Sequence, residues 1–226
     1  MQRFTSNEII NKLSNRDWDP ALEILSPHLD GLIKIIEQSA EPLEGNILFE
    51  HHESNFSNGF TKNFFPKRRA LTLFSLSQTN LQEIGFNAGF SSLLMLLVNP
   101  DLRITALDLC EHKYTRPAYE YIRGIVGDRL KLIEGNSLIT LPVINSFKEF
   151  SGFHIDGGHG IDIAEADLST IINNARKNSV ICFDDTDFYV LKLMLLKYVM
   201  SGSITNIGSD FDIINKNVHM FFRVEK

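Results

Sequence analysis

A chain of 226 residues, 43% of them hydrophobic and 22% charged, is long enough for one α/β domain with a full core. Its net charge of -6 argues against a nucleic-acid partner, because phosphate binding requires a basic surface. The N-terminus lacks the apolar core of a signal peptide, and no uncharged apolar run approaches ~18 residues. We therefore expect a cytoplasmic protein that does not bind membranes.

The two cysteines, Cys110 and Cys182, both lie beside hydrophobic runs that are typical of strands. The sequence contains no Cys-x-x-Cys motif and no Cys/His spacing of the kind that binds metals. We expect both cysteines to be reduced, buried thiols of an intracellular protein.

In chain order, the first predicted elements are helical. Residues 7–13 favour a helix, and residues 21–25 favour one further turn. Ser26 and Pro27 are typical of a helix cap followed by a first-turn proline. A longer helix is therefore predicted over residues 27–39, where leucine and isoleucine recur with a helical period.

A polar stretch separates this region from the next predicted helix. Residues 50–63 are rich in His, Asn, Ser and Phe, which favours a loop or lid. A helix is predicted over residues 66–77 because its proline suits a first helical turn. This helix begins with a short basic cluster, Lys67-Arg68-Arg69, which we interpret as solvated.

Beyond this point, short apolar runs alternate with helical stretches. Strands are predicted at residues 81–85, 103–107, 130–134, 153–156, 179–183, 204–207 and 218–224. Helices are predicted at residues 90–98, 116–124, 138–147, 163–175 and 190–200. The alternation predicts a Rossmann-like α/β fold, in which helices cover both faces of a mostly parallel, seven-stranded sheet. The last two strands have only a polar connection at residues 208–217, which predicts an antiparallel terminal hairpin.

This pattern divides the chain into two predicted segments. Residues 1–65 form an N-terminal helical cap or lid segment, and residues 66–226 form the α/β domain. We expect the two to make one compact unit. Ligands bind such sheets at the carboxyl ends of the strands, so the residues that follow each strand are the candidates for function.

A turn with two glycines follows the first predicted strand, in the sequence Glu83-Ile84-Gly85-Phe86-Asn87-Ala88-Gly89-Phe90-Ser91. Glycine allows a tight turn and lets a ligand approach the backbone, and the next helix offers free N–H groups. The spacing is neither the GxGxxG of a dinucleotide site nor a phosphate-binding P-loop. By itself, the turn is weak evidence for a ligand-binding site, because glycines occur in many turns between strands and helices.

Two polar positions follow the second and third strands. Asp108 lies where an acidic side chain can accept hydrogen bonds from ribose hydroxyls, or where it can cap the next helix. Asn136, followed by Ser137, has an amide that can pair with an adenine edge. Taken alone, Asn136 fits a cap or turn better than an adenine contact.

Acidic residues follow the fourth and fifth strands. Asp156 begins the stretch Asp-Gly-Gly-His, and Asp184 and Asp185 begin the stretch Asp-Asp-Thr-Asp. Carboxylates that converge at one sheet edge repel each other unless a cation lies among them, and Mg²⁺, Mn²⁺ or Ca²⁺ prefers such oxygen ligands. The alternative is that some of them cap helices, with Asp185 or Asp187 at the start of the next helix.

Together these residues resemble a known family. The stretch from Glu83 to Ser91 resembles the first S-adenosylmethionine (SAM) binding motif of class I methyltransferases. The stretches Phe-His-Ile-Asp-Gly-Gly-His, ending at His159, and Ile-Cys-Phe-Asp-Asp, ending at Asp185, are similar to a narrower group. That group is the metal-dependent small-molecule O-methyltransferases of the macrocin (sugar) and catechol types.

The resemblance implies a role for each matching position. The positions that would bind SAM are Glu83, Gly85, Asn87, Gly89, Ser91, Asp108, Asn136 and Ser137. Many relatives carry Asp where this chain has Asn136, and an amide can still accept a hydrogen bond from the adenine amino group. Asp156, Asp184 and Asp185 would bind the metal, and catechol-type relatives commonly carry Asn at the last position. His159 or Asp156 would take the proton, although His159 also fits a residue that only hydrogen-bonds within its loop.

The activity implied is transfer of a methyl group from SAM to a hydroxyl of a small molecule, with Mg²⁺ or a similar ion. Three alternatives remain open: a metal-independent N- or carboxyl-methyltransferase, a nucleotide-binding dehydrogenase, and a non-catalytic SAM-binding protein. The missing GxGxxG motif disfavours the dehydrogenase. We expect a small-molecule acceptor as partner, and association into a homo-oligomer is left open.

Overall fold

The computed structural model describes residues 4–49, 56, 59–158, 160–208 and 219–226. The predicted lid at residues 50–63 and the polar connection at residues 208–217 therefore lie largely outside the described residues. The described chain forms two compact units, each drawn from several segments. The predicted boundary between residues 65 and 66 stays a prediction. None of the described helices has the length and apolar character needed to cross a membrane.

The first unit is helical and takes its residues from 1–77, 87–102 and 110–130. Its helices are α1 (Ser6–Ser14), α2 (Ser26–Ser39), α3 (Phe65–Leu76), α4 (Phe90–Val98) and α5 (Thr115–Val126). Helix α1 begins with a capping box, in which the side chains of Thr5 and Glu8 each accept a hydrogen bond from the other's backbone N–H. Helix α2 follows a π-helical turn at Ala21–Leu25 without a break, so the prediction that Ser26 caps it was wrong.

The basic cluster at the start of α3 is buried, and its prediction as a solvated helix start was wrong. Arg68 and Arg69 are each 1% exposed. Arg68 pairs with the Asp19 carboxylate and donates to the carbonyl oxygens of Ile47 and Thr61. Arginine has five donors in a rigid fork, so it can satisfy several buried acceptors at once. The cluster therefore holds the N-terminal segments of this unit around α3.

The second unit contains the sheet, and takes its residues from Gln78–Phe86, Arg103–Leu109 and Lys131–Lys226. Its strands are β1 (Asn80–Ile84), β2 (Arg103–Asp108), β3 (Leu130–Glu134), β4 (Gly152–Ile155), β5 (Val180–Phe183), β6 (Ile204–Asn206) and β7 (Met220–Val224). Within the described residues the order is β3-β2-β1-β4-β5-β7-β6. Strand β1 is parallel to β2 and β4, and β4 is parallel to β5, whereas β7 is antiparallel to both β5 and β6. The predicted Rossmann-like sheet with an antiparallel terminal hairpin is confirmed.

Among its described residues, this unit has three α-helices: α6 (Ser137–Thr140), α7 (Ile161–Asn174) and α8 (Tyr189–Met200). The helix predicted over residues 138–147 is mostly wrong, because α6 ends at Thr140 and is followed by short 3-10 turns. Pro142 lies in the first of these turns, and proline has no backbone N–H with which to continue the α-helical hydrogen bonds.

The two faces of the sheet differ in character. One face carries Phe153 and Ile181, which belong to an apolar core with Leu168 of α7 and Leu195 of α8. Since successive side chains of a strand point to opposite faces, the neighbouring positions His154 and Cys182 lie on the other face. That second face carries the polar residues of the candidate site.

Candidate functional site

The turn after β1 brings the ends of β1 and β4 together. Gly85 has a φ of +90°, and a Cβ atom built there would lie 1.9 Å from the carbonyl oxygen of Asp156. The backbone N–H of Asp156 donates to the carbonyl oxygen of Ile84 at 2.9 Å. The backbone N–H of Gly85 donates to the carbonyl oxygen of Leu107. Only glycine fits both this conformation and this close approach. The turn therefore places Gly85 directly beside the end of β4.

Asp108, at the end of β2, contacts the same turn. Its Oδ2 atom accepts a hydrogen bond of 2.7 Å from the backbone N–H of Phe86. The next helix, α5, begins after Tyr114 without a side-chain cap. The alternative that Asp108 caps that helix is therefore not what the structure shows. Asp108 supports the glycine turn, which is compatible with the predicted contact to a ribose.

Asn136 caps α6, as its sequence context alone suggested. Its Oδ1 atom accepts a hydrogen bond of 2.9 Å from the backbone N–H of Leu138. The predicted contact of Asn136 with adenine stays a prediction. The next residue, Ser137, donates its hydroxyl to Oδ2 of Asp167 at 3.1 Å.

Asp167 of α7 is a buried carboxyl group to which no role was assigned from the sequence. It is 2% exposed, and among the described residues its Oδ1 atom has no hydrogen-bond partner. Burial raises the pKa of Asp167 to about 6, and the hydrogen bond from Ser137 opposes that shift. The carboxyl group of Asp167 lies between Ser137, which is predicted to bind near the adenine, and the backbone of Gly157. A Cβ atom built on Gly157 would be 3.9 Å from Oδ2 of Asp167.

Three predicted SAM-binding positions, Asn87, Gly89 and Ser91, lie in the first unit. The side-chain amide of Asn87 donates to the carbonyl oxygens of Glu44 and Gly45 at 2.5 and 2.8 Å. Gly89 has a left-handed φ of 74° and precedes the first residue of α4. Ser91 is buried in that helix. Their contact with SAM stays a prediction.

The acidic strand ends meet as the parallel sheet predicts. One potential ligand atom from each of His154, Asp156 and Asp184 lies within 4.8 Å of the other two. Asp185 is not in this set; it has a left-handed φ of 54° and donates its backbone N–H to Oδ1 of Asp184. His159 lies outside the described residues, so its predicted role as a base stays a prediction.

The capping alternative for these aspartates is wrong for the described residues. Helix α7 begins after Gly160 and helix α8 after Phe188, and neither start has a side-chain hydrogen bond to the helix backbone. Asp185 and Asp187 therefore do not cap α8. The acidic residues at the ends of β4 and β5 do not cap these helices, and their role as metal ligands stays a prediction.

A row of buried polar side chains, the buried polar row, lies two residues before the acidic strand ends. It was not predicted from the sequence. Glu83, His154 and Cys182 are register neighbours on β1, β4 and β5, and each is 0% exposed. Nδ1 of His154 lies 3.0 Å from Oε1 of Glu83. His219, just before β7, has its Nε2 atom 3.1 Å from Oδ1 of Asp184. The available signal was the presence of histidine inside an apolar strand, where a buried polar group requires a partner.

Comparison with known proteins agrees with this geometry. The model of a methyltransferase domain matches residues 82–186. No curated protein matches the sequence. The fold is similar to that of cofactor-bound Rv0187 from MTB, with a TM-score of 0.64 and 18% identity over 100% of both chains. It is also similar to the O-methyltransferase TomG from Streptomyces achromogenes in complex with SAM, with a TM-score of 0.60 and 16% identity over 93% of this chain and 98% of that one.

A third similar structure is the MycE methyltransferase from the mycinamycin biosynthetic pathway, in complex with Mg and S-adenosylhomocysteine (SAH). Its TM-score is 0.51 at 17% identity, over 87% of this chain and 55% of that chain. At these identities the likeness concerns the fold, while the matched domain covers the glycine turn and both acidic strand ends. Residues 82–186 are therefore similar to a methyltransferase domain, and the described chain has the fold of these methyltransferase structures.

Proposed function

We propose that this protein is a SAM-dependent O-methyltransferase that uses a divalent cation and methylates a hydroxyl group of a small molecule. The observation that carries the proposal is the convergence of Asp156 and Asp184 at the carboxyl edge of a methyltransferase sheet. A vicinal diol, as in a sugar or a catechol, suits this site because two adjacent oxygens can chelate one cation. Mg²⁺ is the expected ion, with Mn²⁺ or Ca²⁺ as alternatives.

The residues of the second unit fit SAM. Gly85 leaves the backbone at the end of β1 without a side chain, so a ligand can approach it closely. The Asp108 carboxylate, which accepts from the Phe86 N–H at the end of β2, would also accept from the ribose hydroxyls. When bound, SAM supplies a methyl group on a sulfonium centre that is a good leaving group. Asp108 orients the nucleoside, and the Ser137–Asp167 hydrogen bond holds the loop after β3 in place.

The residues at the strand ends also fit a hard cation. Asp156 and Asp184 offer carboxylate oxygens close together, and Asp185 follows at once in the chain. When bound, a divalent cation lowers the pKa of a coordinated hydroxyl and holds two vicinal oxygens. MycE is described with Mg and SAH, which supports this assignment by analogy. The proton of the acceptor would pass to Asp156 or His159.

The test is methyl transfer from SAM to a panel of catechols and sugar diols, before and after treatment with EDTA. We expect turnover to disappear in EDTA and to return with Mg²⁺ alone. Asp184→Asn should abolish turnover and leave SAH binding largely intact, because the cation lies on the acceptor side of the site. If the EDTA-treated protein methylates at full rate, the metal proposal is wrong.

The same assay separates the alternatives that the sequence left open. A metal-independent N- or carboxyl-methyltransferase would act on amines or carboxylates in the presence of EDTA. A non-catalytic SAM-binding protein would bind SAH and turn over no acceptor. The buried acidic and histidine residues favour an enzyme, since buried charged groups are costly to keep without a role.

A further inference from the structure

The buried polar row contributes to a second set of potential metal ligands, which shares His154 with the acidic strand ends. His154 of β4, Cys182 of β5 and His219 before β7 each place one potential ligand atom within 4.8 Å of the other two. Their side chains are 0%, 0% and 2% exposed. Two imidazole nitrogens and one sulfur are the donor types that Zn²⁺ and similar transition metals prefer over Mg²⁺.

Each histidine of this set also has a carboxylate beside it. Oε1 of Glu83 lies 3.0 Å from Nδ1 of His154, and Oδ1 of Asp184 lies 3.1 Å from Nε2 of His219. Histidines that bind metals usually donate their other ring N–H to a carboxylate, which fixes the tautomer and orients the ring. His154 therefore has the hydrogen-bonded outer partner of a metal ligand, and His219 has a carboxylate within ion-pair distance.

A second observation concerns the Nε2 atom of His154, on the side of the ring away from Glu83. When Nδ1–H of His154 donates to Glu83, its Nε2 atom carries a lone pair. Among the residues that the structure describes, that Nε2 atom has no hydrogen-bond partner, although the side chain is fully buried. A buried nitrogen that accepts nothing costs free energy, and a bound metal ion removes that cost.

We propose that His154, Cys182 and His219 bind one transition-metal ion of the Zn²⁺ type, supported by Glu83 and Asp184. This set shares His154 with the acidic set, but the proposal does not rest on the proposed methyl transfer. Three protein ligands leave one position of a tetrahedral ion for a further ligand. The ion joins β4, β5 and the start of β7, so it fastens the antiparallel hairpin to the parallel strands.

The test uses the full chain, freed of metal and titrated with Co²⁺ alone. Co²⁺ bound by a thiolate gives a sulfur-to-metal charge-transfer band in the near ultraviolet, and Mg²⁺ gives none. We expect this band to saturate at one equivalent of Co²⁺ and to disappear when Zn²⁺ is added. An excess of Mg²⁺ should leave it unchanged.

Two matched cysteine variants identify the thiolate that gives rise to the charge-transfer band. Cys182→Ser should abolish it, whereas Cys110→Ser, which changes the other buried cysteine, should leave it intact. Glu83→Gln should keep the band and weaken Zn²⁺ binding by about 10–100-fold, the usual effect of losing an outer-shell partner. Zn²⁺ should raise the melting temperature of the wild-type protein and of Cys110→Ser, and not that of Cys182→Ser.

Three results would overturn the proposal. They are the absence of a thiolate band in the wild-type protein, a band that survives in a folded Cys182→Ser variant, and Co²⁺ that binds without a thiolate band and is released by Mg²⁺. The first of these needs no variant, so a variant that fails to fold leaves the proposal testable. SAH calorimetry on the same samples reports separately on the proposed function.

Discussion

At the scale of single residues, Asp108 joins the glycine turn to the predicted nucleoside site. Its carboxylate accepts from the Phe86 N–H at the strand end where the ribose of SAM is predicted to bind. We expect Asp108→Ala to weaken SAH binding by roughly 1.5–3 kcal/mol, the scale of hydrogen bonds to a charged group. Isothermal calorimetry measures this directly. Asp108→Asn, which keeps one acceptor, should lose less, and equal affinity in all three proteins would contradict the assignment.

Asp167 gives a prediction for the dependence of stability on pH. Its folded pKa of about 6 lies above the unfolded value, so the folded protein retains a proton that the unfolded chain loses between about pH 4 and 6. The free energy of unfolding therefore falls as the pH rises through this window. Above the window it stays lower by a constant amount. Asp167→Asn can still accept the hydrogen bond from Ser137, and it removes the charge.

Thermal melts of the two proteins across this pH range test the prediction. Asp167→Asn should melt at a higher temperature than the wild-type protein at about pH 7.5, and the difference should shrink toward about pH 4. Other carboxyl groups titrate equally in both proteins and cancel in the comparison. A difference that does not change with pH would show that Asp167 is not the group responsible.

Some residues could be placed from the sequence and others could not. Asp156 and Asp184 were predictable because they follow parallel strands whose ends must meet. Arg68 and Arg69 were not, since their buried partners come from segments about 50 positions away in the chain. Local sequence shows a charge but not the distant carbonyl or carboxylate that makes its burial tolerable.

At the scale of elements, the contact between β1 and β4 depends on Gly85. An alanine there meets the Asp156 carbonyl oxygen and must also adopt a positive φ. We expect Gly85→Ala to lower the free energy of unfolding by about 3 kcal/mol or more, from overpacking and backbone strain together. Urea unfolding measures the change.

Gly202 provides the matched control for this substitution. It has a φ of +70° and nothing within 4 Å of a built Cβ atom, so Gly202→Ala should cost only the strain of about 1–2 kcal/mol. If both variants lose the same stability, the close approach at Gly85 contributes nothing. A larger loss at Gly85 supports the strand-end geometry on which the site depends.

Most elements were predictable, because strands buried in a parallel sheet are short apolar runs and helices keep their own period. Strand β3 and helix α4 have the predicted bounds. The stretch at residues 138–147 was not predicted correctly, since Leu141 and Phe147 are buried by short 3-10 turns rather than by one helix face. Two buried apolar residues six positions apart in the chain are compatible with one helix face and also with short 3-10 turns.

At the scale of the whole molecule, the carboxyl edge of the sheet could be predicted, whereas the buried row beneath it could not. Glu83, His154 and Cys182 become neighbours only through the register of three strands, and His219 joins them through the antiparallel β7. Metal motifs in sequence depend on short spacings, and these residues are far apart in the chain. Both cysteines are buried and neither forms a disulfide, which confirms the predicted buried thiols.

The central claim is that this fold binds SAM, and the most direct test is calorimetry of the purified protein with SAH. We expect binding in the micromolar range, on the order of -8 kcal/mol, together with a rise in melting temperature. The motivation is the set of strand-end residues in a matched methyltransferase domain. No heat and no thermal shift at millimolar SAH would contradict the claim.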